Sequence, residues 1–276
     1  FSLNMEPMKR EFFILLNLLG LGAYGFFISL DLFTLFFFFE LAVVPKYLLI
    51  AIWGSGNAPR SAMKLVLMLM AGSALILAGL LLAYHGSPPE TRSFDITLFT
   101  AERISPFLQS LLFLLFFAGF GIMSAMFPFH GWAPEGHSAA PTAASMFLAG
   151  ISMKLGGYGC LRIAVALFPG PAHMYAPLLI ILATIGTVYG AWVTLRQSDF
   201  KMMNAYSSVS HCGLVLLGIG MLNPAAASGA VLQMLSHGLM TALFFALIGM
   251  VYERTHTKTI AAMGGLQKVM PFAGTA

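Results

Sequence analysis

The sequence predicts an all-α, polytopic membrane helix bundle. Three observations carry this. Of 276 residues, 59% are hydrophobic and only 9% are charged, whereas a soluble domain carries about a quarter charged residues. Several apolar stretches reach the roughly 20 residues that a membrane-crossing helix needs. The short alternating segments of a membrane β-barrel are missing from the chain. The net charge of +4 comes with no basic stripe interleaved with aromatics, so it reads as a topology signal and not as a nucleic-acid footprint. Cys160 and Cys212 both sit inside apolar runs and read as small buried residues, not as a metal or disulfide framework.

Eight helices are expected, with Gly and Pro at most junctions. The segment from Phe1 to Arg10 lacks the layout of a secretory signal peptide and reads as a hydrophilic connector after earlier helices. The first helix follows at 11–30. The second, at 32–53, holds Glu40 behind four phenylalanines and Lys46 just past Pro45. The third, at 62–84, has Lys64 near its start. A polar loop spans 85–105. The fourth helix, 106–129, ends at His130, and a short loop with Trp132, Glu135 and His137 leads to the fifth, 143–168, with Lys154 near its middle. The sixth is placed at 174–195. Asp199 is a fitting N-cap for the seventh, 203–222, which contains His211. The eighth, 228–251, contains His237, with His256 just beyond it. The chain closes on what reads as the opening of another apolar stretch, so a fragment of a longer protein is expected.

Basic residues set the expected orientation. Lys9, Arg10, Arg60, Lys64, Arg196, Lys201, Arg254, Lys258 and Lys268 fall on one side; Arg92, Arg103 and Arg162 fall on the other. Both ends are therefore expected to be cytoplasmic, with the 85–105 loop on the far side.

Ionisable residues at membrane depth are costly and mark ion paths by default. Glu40 reads as half of a buried ion pair in such a path, or as an interhelical structural bridge. Lys46 is offset from Glu40 by about 600 degrees of helix rotation, so it does not share that face; its expected behaviour, like that of Lys64, is to snorkel to the nearer interface. Lys154 has Gly150, Gly156, Gly157 and Gly159 around it, small residues that let helices approach closely and leave room beside the amine. It reads as a proton-holding lysine, with a structural pair to Glu40 as the alternative. His130, His211, His237 and His256, together with Glu40 and Lys154, suggest a polar file through the bundle. His85, His137 and His173 are expected in loops, solvated. No phosphate loop, dinucleotide fingerprint or haem- or zinc-spaced histidine pair occurs, so no cofactor or redox centre is expected in this chain.

The stretch Phe127–Arg162 closely resembles the antiporter-like M-type membrane subunits of respiratory complex I, the proton-pumping NADH:quinone oxidoreductase. So do Glu40-Leu-Ala-Val-Val-Pro, Leu49-Ile-Ala-Ile-Trp-Gly, the run from Asp199 to His211, Ser236-His-Gly, Tyr252-Glu-Arg-Thr-His-Thr and Gly264-Gly-Leu. Single pieces are also similar to Mrp-type cation/proton antiporters and membrane-bound hydrogenases. The resemblance implies about fourteen helices with two inverted five-helix repeats, of which 11–168 is the first and 174–276 part of the second. It implies proton translocation coupled to electron transfer from NADH or another donor to quinone. It also implies a bacterial inner membrane and neighbouring membrane-arm subunits, including other antiporter-like ones. Glu40 falls on the family's ion-pair glutamate, Lys154 on its central lysine, and His130, His237 and His256 on polar histidine positions. The chain departs from the pattern at Met123, where the family carries a lysine, and at Ala125, where it carries a proline. Glu40 therefore needs another partner, ranked as Lys64 first, protonation or a neighbour's lysine next, and Lys46 last. A hydrogenase-linked subunit, an Mrp-type antiporter and a scaffold subunit without proton transport are the alternative readings.

Overall fold

The computed structural model describes residues 8–275, so residues 1–7 of the connector read above lie outside the described part. The described residues are mainly helical, and no β-strand occurs among them; Asp31–Asp95 and Asp199–Thr259 form isolated bridges. The main helices are α1 (Lys9–Ile28), α2 (Leu32–Trp53), α3 (Ala58–Gly86), α4 (Pro106–Met123), α5 (Trp132–Ala139), α6 (Thr142–Phe147), α7 (Met153–Gly159), α8 (Pro169–Leu195), α9 (Phe200–Gly220) and α10 (Pro224–Thr255). Sequence neighbours pack as hairpins: α1 on α2, α2 on α3, α3 on α4, α8 on α9 and α9 on α10. Among the described residues, side chains cap four N-termini: Asp31, Ser105, Asn223 and, as expected, Asp199, which accepts from Met202 N–H at 2.9 Å.

Among the described residues, six helices (α1, α2, α3, α4, α8 and α10) are long and apolar enough to cross a membrane. Two of the eight expected spans are not of that kind. The path from Thr142 to Val165 is helical but interrupted twice, by π segments at Leu148–Ser152 and Cys160–Val165. Helix α9 is long enough but carries Lys201, Asn204, Ser208, Ser210 and His211. These two paths hold most of the polar groups described below.

The expected fourth helix is too long by six residues. Helix α4 stops at Met123 in a Schellman-type cap: Met126 N–H donates to Gly121 O and Ala125 N–H to Ile122 O, with Ala125 left-handed at φ 53°. The Trp132 indole N–H adds a 3.0 Å bond to Ile122 O. His130 therefore lies in the turn between α4 and α5. The segment expected as a loop contains α5, so His137 is helical and fully buried, not solvated.

Helix α5 is short and ends inside the bundle. A helix end leaves four carbonyls unpaired, and inside a packed bundle these need donors within the protein. Each finds one from a different part of the chain. His137 O accepts from Ser145 Oγ at 2.8 Å, Ser138 O from Lys258 Nζ at 3.5 Å, Ala139 O from Ser55 N–H at 2.8 Å, and Ala140 O from Lys201 Nζ at 2.7 Å.

A candidate proton-conducting site around Lys154

Lys154 is 7% exposed. The π segment before it shifts backbone bonding by one residue: Met153 N–H reaches back five residues to Leu148 O. Such π bulges recur at functional sites. Ala149 O accepts instead from Lys154 Nζ at 2.5 Å. On its other side, Nζ is 2.8 Å from His237 Nδ1. Two glycines bring His237 this close. A Cβ on Gly238 would lie 2.7 Å from Gly150 O, and one on Gly150 would lie 3.2 Å from Gly238 O. Helix α10 and the π segment thus touch backbone to backbone, as the glycines around Lys154 predict. Beside the lysine an apolar groove of about 1010 Å³ runs between α1, the π-interrupted path and α10.

Polar groups continue from His237. Its Nε2 is 3.2 Å from Ser208 Oγ, which donates to Asn204 O at 3.1 Å and lies 3.2 Å from Thr241 Oγ1. A Lys154 ammonium has only donors, so the network assigns His237 the tautomer that accepts at Nδ1 and donates from Nε2. The His211 ring stacks on His237 with centroids 4.9 Å apart, and its Nδ1 is 2.8 Å from Gln233 Nε2.

The other predicted residues are placed differently. His130 is buried in its turn against Phe127 and Tyr189, and its Nδ1 has no partner. His256 is the exposed, left-handed C-cap of α10 and does not join the network. Glu40 is half-buried and accepts from the Ser73 hydroxyl. Lys64, ranked first as its partner, instead donates to Glu135 Oε1 at 2.5 Å, with both side chains 41% exposed. Ser73 is nine residues further along α3 than Lys64, about 13 Å of helix, so the carboxylate and this lysine are held at different depths. Lys46 does not snorkel; it is 2% exposed. Met123, at the position where the resemblance implies a lysine, is buried at the end of α4. His85 closes α3 and is exposed; His173 is exposed but lies within α8.

Several members of the site were not singled out from sequence. Lys201 counted as a cytoplasmic charge, yet it is 4% exposed and bound to Ala140 O. Ser208, Thr241 and Asn204 give no signal in a list of helix residues. His137 is fully buried, its Nδ1 has no partner, and its Nε2 lies 3.4 Å from Met153 Sδ. Among the described residues, no group of three or more His, Cys, Asp or Glu side chains is arranged to hold a metal ion.

Set against known proteins, residues 29–276 match the family described as NADH:quinone oxidoreductase/Mrp antiporter, transmembrane. The chain belongs to this family. Among the members of the NADH:quinone oxidoreductase/Mrp antiporter family, it is 42% identical over 270 residues to NAD(P)H-quinone oxidoreductase chain 4-2 of a Synechocystis species, covering 97% of this chain and 48% of that protein. It is 41% identical over 265 residues to NADH-quinone oxidoreductase subunit M of Rickettsia prowazekii, covering 95% of this chain and 52% of the other. The chain thus spans about half the length of these relatives. Its fold matches a chain of respiratory complex I from Thermus thermophilus with a TM-score of 0.91 at 30% identity, covering 97% of this chain and 57% of that one. A likeness to a chain of the Mrp complex from a Dietzia species, TM-score 0.85 at 22% identity, covers 94% and 48% and speaks to the fold alone.

Proposed function

We propose that this chain is part of an antiporter-like membrane subunit of a complex I-type NAD(P)H:quinone oxidoreductase, and that it moves protons at Lys154. The observation that carries the reading is the Lys154 ammonium held between Ala149 O and His237 Nδ1, inside a family whose relatives are quinone oxidoreductase subunits. The step is simple. Lys154 gives a proton to His237 Nδ1, leaving a neutral amine and an imidazolium, and the imidazolium releases its Nε2 proton toward Ser208. Return of His237 to its Nε2–H tautomer and reloading of Lys154 restore the first state. Electron transfer in other subunits would drive the cycle by changing the local field. Glu40, His211, Lys64 and His130 belong to the polar groups along the bundle, while His256 lies at its aqueous end.

In this reading residues 11–168 form a first five-helix repeat and 174–276 part of an inverted second. The chain lies in a bacterial inner membrane with both of its ends cytoplasmic, flanked by other membrane-arm subunits. The test is the proton-to-electron ratio of the assembled complex in proteoliposomes. Lys154→Ala should lower that ratio severalfold with assembly intact; an unchanged ratio refutes the role. An Mrp-type cation/proton antiporter is the second reading, favoured by the shared fold. Subunits co-purifying with the chain separate the two.

A further inference from the structure

Two sets of buried polar groups end on either side of one apolar layer. On the first side, Ser208, Thr241 and Asn204 continue the network from Lys154 and His237. On the second side, Lys201 Nζ donates to Ala140 O at 2.7 Å, and the half-buried Lys258 donates to Ser138 O at 3.5 Å. Between them stands Phe245, in a small cluster with Ala149, Ala205 and Ile248, against which Met146 and Phe200 pack. The order along the helices places the cluster there. On α10, Phe245 follows Thr241 by four residues, about one turn. On α9, Ala205 lies between Lys201 and Ser208. In the π-interrupted path, Ala149 holds Lys154 Nζ by its carbonyl. The Phe245 ring is fully buried, and its centroid is 6.1 Å from that of His137 on α5, whose Nδ1 has no partner.

Among the described residues, no side-chain hydrogen bond joins Lys201 or His137 to Asn204, Ser208 or Thr241. Lys201 and Ser208 are seven residues apart, about 10 Å of helix, so a proton crosses this stretch only on water. Apolar side chains close such a passage by excluding water. A space with apolar walls stays dry, whereas one with several polar partners holds water. Here hydroxyls stand on one side, and an imidazole and an amine on the other. The phenyl ring is what keeps the two sides from sharing water.

We propose that Phe245 is a hydrophobic gate, a positioning residue that decides when the Ser208 end of the Lys154 network exchanges protons with the aqueous end of the bundle near Lys258 and His256. The inference rests on the reading of Lys154 as the proton-moving lysine. With the ring in place, the layer is dry and a proton released from His237 has no water to leave on. When the ring turns aside, a short file of water joins the hydroxyls to the aqueous end, and the proton leaves along it. Return of the ring keeps that proton from coming back.

The test uses the assembled complex in proteoliposomes, measuring quinone reduction and protons moved per electron with and without an opposing proton gradient. Phe245→Gln and Phe245→Met replace the ring by side chains of similar length, one polar and one apolar. Phe245→Gln should lower the proton-to-electron ratio at least twofold, and further against the gradient, with quinone reduction retained. Phe245→Met should pump as the unmodified complex does. A ring needed only for packing would make the two variants alike, and equal ratios overturn the proposal. If Phe245→Gln fails to assemble, Phe245→Ala decides. If that fails too, Ala205→Ser decides, since it puts a hydroxyl into the same layer with little change of volume; a normal ratio in the deciding variant overturns the gate. If Lys154→Ala lowers the ratio and the variants of the layer do not, this inference fails and the reading of Lys154 stands. If neither lowers it, both fail.

Discussion

His237 makes two contacts that a proton relay needs, one to Lys154 and one to Ser208. Glutamine at this position keeps an acceptor for the lysine but does not titrate. His237→Gln should therefore change thermal stability by no more than about 1 kcal/mol and still lower the proton-to-electron ratio as far as Lys154→Ala does. A His237→Gln complex that pumps normally would remove His237 from the path. At this scale the sequence is legible where a charge stands in an apolar run: Lys154 is recognisable from its neighbours alone. It is less legible where direction matters. The fate of Lys46 depends on the lean of its side chain along α2, and that of His137 on whether its segment is loop or helix. Hydroxyl and amide partners such as Ser208 and Asn204 become visible only once α9 and α10 are packed together.

Among the elements, the crossing of α10 over the first π segment is the most sensitive to size. Gly238→Ala would put a methyl group 2.7 Å from Gly150 O and 3.8 Å from Lys154 Cε. The helices must part, which should cost about 1–3 kcal/mol and weaken the Lys154–His237 contact; thermal melting of the purified complex would register the first effect. The Lys64–Glu135 pair is a contrasting case. It is short, but both side chains are 41% exposed, so a double-mutant cycle of Lys64→Met and Glu135→Gln should give a coupling below about 1 kcal/mol. A coupling near 3 kcal/mol would mean that the pair is far better shielded in the assembled membrane. Helix ends are where the sequence reading falls short. The stop of α4 is written in Ala125, an alanine in a left-handed position usually given to glycine, which no composition rule flags. The π segments are likewise silent, because they change hydrogen bonding without changing the apolar pattern.

On the scale of the whole molecule, membrane character and helix order follow directly from apolar length, and most of the expected helices fall within a few residues of those observed. What the pattern does not contain is how distant loops fasten to one another. The loop after α3 is tied to the start of α2, where Leu32 N–H donates to Phe94 O and Ile96 N–H to Leu30 O. Asp95 anchors its turn by accepting from the Thr97 backbone and hydroxyl, both at 2.7 Å. The Thr97 hydroxyl first, and then its backbone N–H, hold the Asp95 carboxyl below its ordinary value of 3.8. Because this value is lowered by folding, the stabilisation is complete above 3.8 and fades as pH falls through the lower folded value. Hydrogen-exchange protection factors in residues 94–98, referred to the intrinsic rate at each pH, should fall on acidification below that point, and Asp95→Asn should flatten the dependence.

The closure of α5 has a temporal meaning. Its four terminal carbonyls are held by Ser55, Ser145, Lys201 and Lys258, groups strung along the chain from the second helix to beyond the tenth. During synthesis these donors emerge one after another, and the last arrives only when α10 has been made. The segment that carries His137 is thus among the last parts of the bundle to gain its full complement of bonds. A nascent chain stalled before residue 258 should leave α5 accessible to cysteine labelling at position 138, and one stalled well after it should protect that site. Biogenesis would then run in an order that keeps the buried lysines from being connected before the bundle around them is closed.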